Sequence, residues 1–286
     1  MKIGLSGGEL AVTEGVRPPI EACARLGVRW VELWYPLNTE AIGLEGTLAL
    51  LAEAGVAVGS IGTATELGCD GSVSAAQRTI EEAVEVANRV GCGLVNTYFG
   101  WPSIRDDRRS IQTFCANVAP CLAAARRSGV VITLENEFDS FGRDPIGADV
   151  TRRTDALECL VDAVGPAAPF RITFDPCNAY FAGEDPAQMY ERLATHIVHV
   201  HVKDGFAAGS GRTAPPAWRR FLDHGCEYTT CALGEGEIGW GGLLTEMAER
   251  GYRGLLTLEP HVQRAQLADA WEQAVGYLRL TTGVLP

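Results

Sequence analysis

Eight times along its 286 residues the chain repeats one pattern, a short apolar run followed by a longer helical stretch that often closes on glycine. The apolar runs are "KIGLS" (2–6), "WVELW" (30–34), "AVGSIG" (57–62), "LVNTYF" (94–99), "VVITLEN" (130–136), "FRITFD" (170–175), "IVHVHVK" (197–203) and "GLLTLEP" (254–260). Between them lie stretches such as "SAAQRTIEEAVEVANRVG" and "IQTFCANVAPCLAAARRSG". A glycine just past a periodic run reads as a helix end, and a strand within a few residues of it reads as a short αβ connection. Eight strands, each followed by a helix, predict one α/β domain over 1–286, a closed (β/α)₈ or TIM barrel whose last helix is "AQLADAWEQAVGYLRLTTG". An open doubly wound sheet would want a G-x-G-x-x-G turn after its first strand, and "GLSGGELAV" lacks that spacing. The longest connection, about 204–239, leaves the seventh strand and is expected to lie over the C-terminal face, where barrels carry their active sites.

Composition removes several function classes. The formal net charge of -12 disfavours non-specific contact with nucleic acid or an anionic membrane. Nine cysteines, an odd number with no C-x-x-C pair, fit a reducing compartment in which thiols act as small core hydrophobes. The opening "MKIGLSGGEL" lacks the apolar segment of a signal peptide, and no uncharged apolar run is long enough to span a bilayer. The expected setting is the cytoplasm, with neither nucleic acid nor membrane as partner.

Side chains alternate across a strand. In "IVHVHVK" the valines share one face while His199, His201 and Lys203 share the other. If the valines pack under the helices, the histidines face the barrel axis, with His201 and Lys203 nearer the top. The same grammar recurs in "ITLE", "ITFD" and "LTLE", which set Glu135, Asp175 and Glu259 on the inward face at strand ends. Alone, each of these residues reads as an ion-pair partner, a loop cap or a hydrogen-bonded core histidine. Together, three buried carboxylates without a cation would repel one another and take up protons. One divalent ion resolves that, so Glu135, Asp175, His201 and Glu259 are read as ligands. Mn²⁺ is the first choice, with Mg²⁺, Co²⁺ or Zn²⁺ as alternatives. His199, one layer lower, is expected to hold a ligand or to contact substrate rather than bind the ion.

The segments "ITLEN", "ITFDPCN", "VHVHVKD", "GEGEIGW" and "LTLEPH" resemble the xylose isomerase-like barrel superfamily of sugar phosphate isomerases and epimerases, over nearly the whole chain. The resemblance implies a divalent-metal enzyme with Glu135, Asp175, His201 and Glu259 as ligands, and gives Glu135 and Glu259 a second role in moving protons. It is loose about reaction, covering isomerases, epimerases, dehydratases, decarboxylases, lyases and a DNA-repair branch that five histidines and an acidic chain fit badly. Two departures stand out. Free-ketose epimerases of this group commonly carry a histidine where this chain has Asn178, and an acidic residue followed by arginine where it has Lys203 and Asp204. A homodimer or homotetramer is a family expectation, and a different small partner subunit would suit a lyase acting on a bulky glycoside.

An ion chelated by a carbonyl and its neighbouring hydroxyl stabilises an enediolate once the carbon between them loses its proton. Glu135 is the first candidate for the base and Glu259 for its partner. Isomerisation or epimerisation of a small sugar or hydroxy-carbonyl compound is the first expectation. Elimination or decarboxylation from a keto-sugar derivative or keto-glycoside shares the first step, and a non-catalytic sugar-binding barrel is the third reading. Lys203 faces the pocket by parity and suits an oxyanion, carboxylate or phosphate, unless a loop acid such as Glu237 pairs it. Asn178, Glu137, His261 and Trp101 are substrate-contact candidates; the last has the competing reading of rim packing. Cys177 is read as structural.

Overall fold

The computed structural model describes residues 1–8, 14–69, 71, 73–102, 105–139 and 149–283. Strands β1 (Lys2–Ser6), β2 (Trp30–Tyr35), β3 (Ala57–Glu66), β4 (Leu94–Tyr98), β5 (Val131–Glu135), β6 (Phe170–Phe174) and β7 (Ile197–Val202) pair each with the next, all parallel. The chain then forms β8 (Asp204–Ala207), β9 (Arg220–Asp223) and β10 (Cys226–Cys231) before the eighth barrel strand, β11 (Leu255–Leu258). Strand β11 pairs with both β7 and β1, so the sheet closes and the expected TIM barrel is formed.

Helices fill the outer ring where the sequence places them. Helix α3 (Ser74–Val90) buries Ile80, Ala83, Val84 and Ala87 on one stripe, at spacings of three and four, the period that presents one face to the sheet. It stops at Gly91, whose φ of +69° needs a residue without a Cβ, and its amide closes onto Ala87 O. Helix α4 (Asp107–Ser128) stops the same way at Gly129, with β5 beginning at Val131. Helix α1 (Arg17–Leu26), α2 (Gly43–Ala54) and the last helix, Leu267–Thr282, also end on left-handed glycines.

The expected strands differ from the observed ones mainly at their ends. Strand β3 runs four residues beyond the expected 57–62, to Glu66, across a register shift against β4. The connection over 204–239 is also more than a loop. It carries a three-stranded antiparallel sheet in the order β8-β10-β9. Aromatic side chains fasten this sheet to the barrel mouth: Phe181 stacks on Tyr228 with centroids 4.6 Å apart, and Phe138 meets Phe221 edge-on at 5.5 Å. Gly205 lets β8 pass close, since a Cβ there would stand 2.6 Å from the Phe181 ring. The "KDG" turn organises the rest. Asp204 accepts from the amides of Gly205 and Gly234, at 2.9 Å each, and a Cβ at Gly236 would stand 1.9 Å from its Oδ1.

A buried ion-pair clip ties the same sheet down from the other side. Arg152 donates to Asp139 Oδ2 at 2.6 Å and to Asp223 Oδ2 at 2.7 Å, joining the segments after β5 to the β9–β10 hairpin. Both carboxylates are almost fully buried. Among the described residues, removing the guanidinium leaves the two buried carboxylates with only the exposed His224, 2.9 Å from Asp139 Oδ2, as a neighbouring side-chain donor, so Arg152→Ala should destabilise the fold by about 3 kcal/mol. Urea unfolding monitored by tryptophan fluorescence measures this, and a loss under about 0.5 kcal/mol would show the clip to be ornamental.

Candidate functional site

The ends of β5 and β6 are locked together by one side chain. Asn136 Nδ2 donates to Asp175 O at 2.9 Å, and its Oδ1 accepts from Asp175 N at 2.8 Å, continuing the ladder by one rung. Asp175 is also the N-cap of α6 (Pro176–Phe181): Oδ1 accepts from the amide of Asn178 at 2.9 Å, with proline at the first helical position. That use of Oδ1 turns Oδ2 inward. Asn178 reaches back from the helix, donating to Glu135 Oε1 at 3.3 Å and to Asn136 O at 3.0 Å. "ITLEN" and "DPCN" are therefore one hydrogen-bonded unit.

Glu135, Asp175, His201 and Glu259 converge at the top of the barrel. One donor atom from each lies within 4.8 Å of the others, and all four residues are buried. His201 Nδ1 is 3.0 Å from Glu135 Oε1 and 3.6 Å from Glu259 Oε2. Lys203 Nζ is 2.5 Å from Asp175 Oδ2 and donates to Glu259 Oε2 at 3.0 Å. Glu237, which might have paired the lysine, instead accepts from the Tyr180 hydroxyl at 2.5 Å and from the Ala207 amide at 3.2 Å. Asp175 Oδ2 meets the Lys203 ammonium as its one polar partner among the described residues. A buried donor set of three carboxylates and an imidazole that converge on one point fits a divalent metal ion.

Beneath the cluster sits a residue that the strand-end reading left unassigned. Glu32 on β2 is fully buried. Its Oε1 accepts from Ser6 Oγ at 2.9 Å, and its Oε2 accepts from Ser60 Oγ at 2.7 Å and lies 3.1 Å from His201 Nε2. Burial alone would push this carboxyl up, yet the charge and hydrogen bond of His201 bring it down to about 2. Burial opposes charge on His201 too, but Glu135, Glu32 and Glu259 overcome it and hold its pKa well above the ordinary histidine value. Glu259 is held well below the usual carboxylate range, burial being outweighed by Lys203 and His201.

His199 lies one layer lower and does not line the cavity. Its Nδ1 is 3.2 Å from Thr173 Oγ1 and its Nε2 is 2.7 Å from Thr257 Oγ1. The Thr173 hydroxyl donates onward to Thr133, and Thr133 to Asn96 Oδ1. Thr173 must then accept from His199 Nδ1–H, which leaves Nε2 as acceptor for Thr257. Asn96 Nδ2 donates to Glu135 Oε2 at 2.9 Å, so the chain of hydrogen bonds rises from the buried layer to the cluster. Burial and the His201 charge lower the His199 pKa to about 3, consistent with this neutral ring.

A cavity of about 330 Å³ opens above the cluster. Of the sequence candidates, Glu135, Glu137, Asn178, Lys203, Glu259, His261 and Trp101 line it. His261 Nε2 is 3.5 Å from Glu259 Oε2. Cys177 is buried and its thiol is pushed well above the usual value by burial. Sequence reasoning missed Glu66, Asp149, Tyr98 and Phe221, which also line the cavity. Glu66 shares the parity of Ser60 and would have been found had β3 been drawn long enough. Asp149 follows the segment over 140–148, which lies outside the described residues together with part of "NEFDSFG". Burial raises Glu137 well above the ordinary carboxylate value, and Asp149 to about 7.

The comparisons agree with this architecture. A family model described as xylose isomerase-like TIM barrel matches residues 20–281. The rhizopine catabolism protein MocC of Rhizobium meliloti is 34% identical over 88 residues, 31% of this chain and 27% of that protein. The matched stretches span between 27% and 47% of the curated relatives' own length. Among solved structures, the 3-keto-D-glucoside 4-epimerase YcjR of E. coli superposes with a TM-score of 0.74 at 17% identity, covering 98% of this chain and 99% of that one. The probable 3-DHS dehydratase AsbF of Bacillus anthracis superposes at 0.72 with 15% identity, covering 97% and 98%. At such identities the structural likeness speaks for the fold. Among the described residues no helix is long and apolar enough to cross a membrane.

Replacing Glu32 by alanine would leave His201, Ser6 and Ser60 without their shared buried acceptor. Glu32→Ala should cost about 3–5 kcal/mol of stability, and Glu32→Gln, which keeps an acceptor oxygen, distinctly less. Guanidinium unfolding compares the two. Equal small losses would mean that Glu32 does not organise the barrel centre.

Proposed function

The chain belongs to the xylose isomerase-like TIM barrel family, and from that premise we propose that it is a divalent-metal-dependent enzyme that isomerises or epimerises a small sugar or hydroxy-carbonyl compound. The observation that carries the reading is the convergence of Glu135, Asp175, His201 and Glu259 within 4.8 Å at the floor of a substrate-sized cavity. These four would hold the ion, with Mn²⁺ best matched to the carboxylate-rich set and Mg²⁺, Co²⁺ or Zn²⁺ also suited to it. When bound, the ion supplies Lewis acidity, polarising a substrate carbonyl and offsetting negative charge that develops on it.

The chain's own residues supply the rest. Glu32 takes the Nε2–H of His201 and thereby turns Nδ1 toward the carboxylates. Asn96 and Asn178 grip opposite oxygens of Glu135, fixing the plane of the carboxylate proposed to remove the proton beside the carbonyl. Glu259, across the cluster and beside His261, is the proposed partner that, once protonated, returns a proton at the neighbouring carbon or on the opposite face. Lys203 pairs with the resting Glu259 carboxylate at 3.0 Å and brings an ammonium to the same floor, the adjacent proton source from which Glu259 would be charged before it returns a proton. Trp34, Tyr98 and Trp101 give the cavity aromatic walls that suit the apolar faces of a sugar and exclude water.

Protein stripped with chelator and dialysed should take up one Mn²⁺ per chain, read by metal analysis and electron paramagnetic resonance. Asp175→Asn combined with Glu259→Gln should abolish that uptake; retention would place the ion elsewhere. Lys203→Met should lower turnover with metal content retained. The reaction is tested by incubating metal-loaded enzyme with ketoses, aldoses and keto-acids in D₂O, followed by NMR and mass. Deuterium at the carbon beside the carbonyl, in products of otherwise unchanged composition, is the expected result. Loss of water, carbon dioxide or an aglycone would replace isomerisation by the lyase reading. Glu135→Gln should slow exchange by about a hundredfold or more.

A further inference from the structure

The carboxylates that the proposed proton transfer leaves unused gather in the wall of the same cavity. Glu66, Glu137 and Asp149 line it, in addition to Glu135 and Glu259 of the cluster. Lys203 is the one lysine or arginine among the described lining residues, and its charge is already matched by Asp175 at 2.5 Å and Glu259 at 3.0 Å. Room is kept for the Glu66 carboxylate: a Cβ on Gly100 would stand 2.7 Å from its Oε2, and the near donor recorded for that oxygen is the weak Cys69 thiol at 3.6 Å. Asp149 is spoken for by the Thr151 amide and hydroxyl, at 2.8 and 2.7 Å, which leaves Glu66 and Glu137 as the carboxylates available to a ligand.

An independent feature of the wall asks for the same chemistry. Asn178 is 1% exposed, and both of its recorded side-chain hydrogen bonds are donated by Nδ2. Its amide orientation is therefore fixed, and Oδ1 is a buried acceptor without a partner among the described residues, on a side chain that lines the cavity. Acidic side chains thus outnumber Lys203 in the wall, and Asn178 adds a further acceptor. A phosphate or carboxylate would add acceptors and like charge to it. A hydroxyl offers a single donor, whereas an ammonium offers three donors and a compensating charge, and the faces of Trp34, Tyr98 and Trp101 attract a cation as well as a sugar face.

We propose that the substrate carries an amino group, bound as an ammonium by the Glu66 carboxylate with the Glu137 carboxyl as a further acceptor, on the polyhydroxylated carbonyl compound inferred above. The proposal rests on the reading of this cavity as the substrate site. The test measures binding to metal-loaded protein by calorimetry and ligand-observed NMR. The probes are the 2-, 3-, 4- and 6-amino-deoxy derivatives of D-glucose, D-glucose itself and D-glucuronate. At least one amino sugar should bind about tenfold tighter than glucose, with glucuronate weakest. Glu66→Gln or Glu137→Gln should bring that ratio toward one while metal content and melting temperature hold. Equal affinity for glucose, preference for glucuronate, no binding of any amino sugar, or a preference that survives in both variants would overturn the proposal. Binding is read without turnover. An amine preference with no proton exchange in any compound would therefore sink the isomerase reading alone, and exchange on neutral sugars without amine preference would sink this one alone.

Discussion

The barrel is organised around one buried contact, Glu32 Oε2 against His201 Nε2 at 3.1 Å. Both groups are fully buried, where an unpaired charge is costly. Ser6 and Ser60 stabilise the glutamate from either side, so four strands meet at one carboxylate: β1, β2, β3 and β7. The contact spans 169 residues of sequence and therefore couples the first quarter of the chain to the strand that carries the histidine. With Nε2 committed downward, Nδ1 is the ring atom that faces Glu135 and Glu259. The orientation of the upper cluster thus follows from a hydrogen bond made beneath it, as outer-shell partners commonly set the geometry of ligands above them.

The two histidines of one strand illustrate how layer decides chemistry. His199 and His201 sit two residues apart with ring centroids 4.8 Å apart, yet their environments drive them in opposite directions. At His201 burial is outweighed by the flanking carboxylates, which favour its charge; at His199 burial and the charge of its neighbour disfavour charge. One charge is thereby concentrated in the upper layer, among the acids. The neutral His199 serves the lower layer by passing a hydrogen bond from β11 across to β6, and Thr173, Thr133 and Asn96 carry it on to Glu135.

Much of this was legible because a strand has period two. Inward parity at "ITLE", "ITFD", "HVHVK" and "LTLE" picks out Glu135, Asp175, His201 and Glu259 without any knowledge of packing, and the glycine-closed helices mark the barrel. Glu32 was visible as an inward residue of "WVELW", but its partner lies far away in sequence, and parity does not name partners. Glu66 was missed because β3 continues past Gly62 through a register shift, beyond the point where its apolar run stops. The small sheet over 204–231 was missed because β9 and β10 are short and half exposed, so neither shows the apolar run that betrays a barrel strand. Asn178 looked like a gap in a motif; in the structure it is the clamp that joins the end of β5 to the start of α6.

These observations divide the mouth of the barrel into two parts with different origins. The cluster that would carry chemistry comes from the ends of β5, β6, β7 and β11, each fixed by parallel neighbours and by Asn136, Asn178 and Asn96. The wall that would select a substrate comes largely from other elements: Glu66 at the end of β3, Trp101 after β4, Phe221 on β9 and His261 after β11. Phe221 lies on the small sheet, which contributes none of the four converging donors, and the sheet is fastened independently by the Arg152 clip and the Phe181–Tyr228 stack. Changes in that sheet can therefore reshape the cavity while leaving the Glu32–His201 contact and the four strand ends intact. Such a separation lets the wall of a barrel mouth change while its floor is kept, so that the floor announces a site more clearly than it announces a reaction.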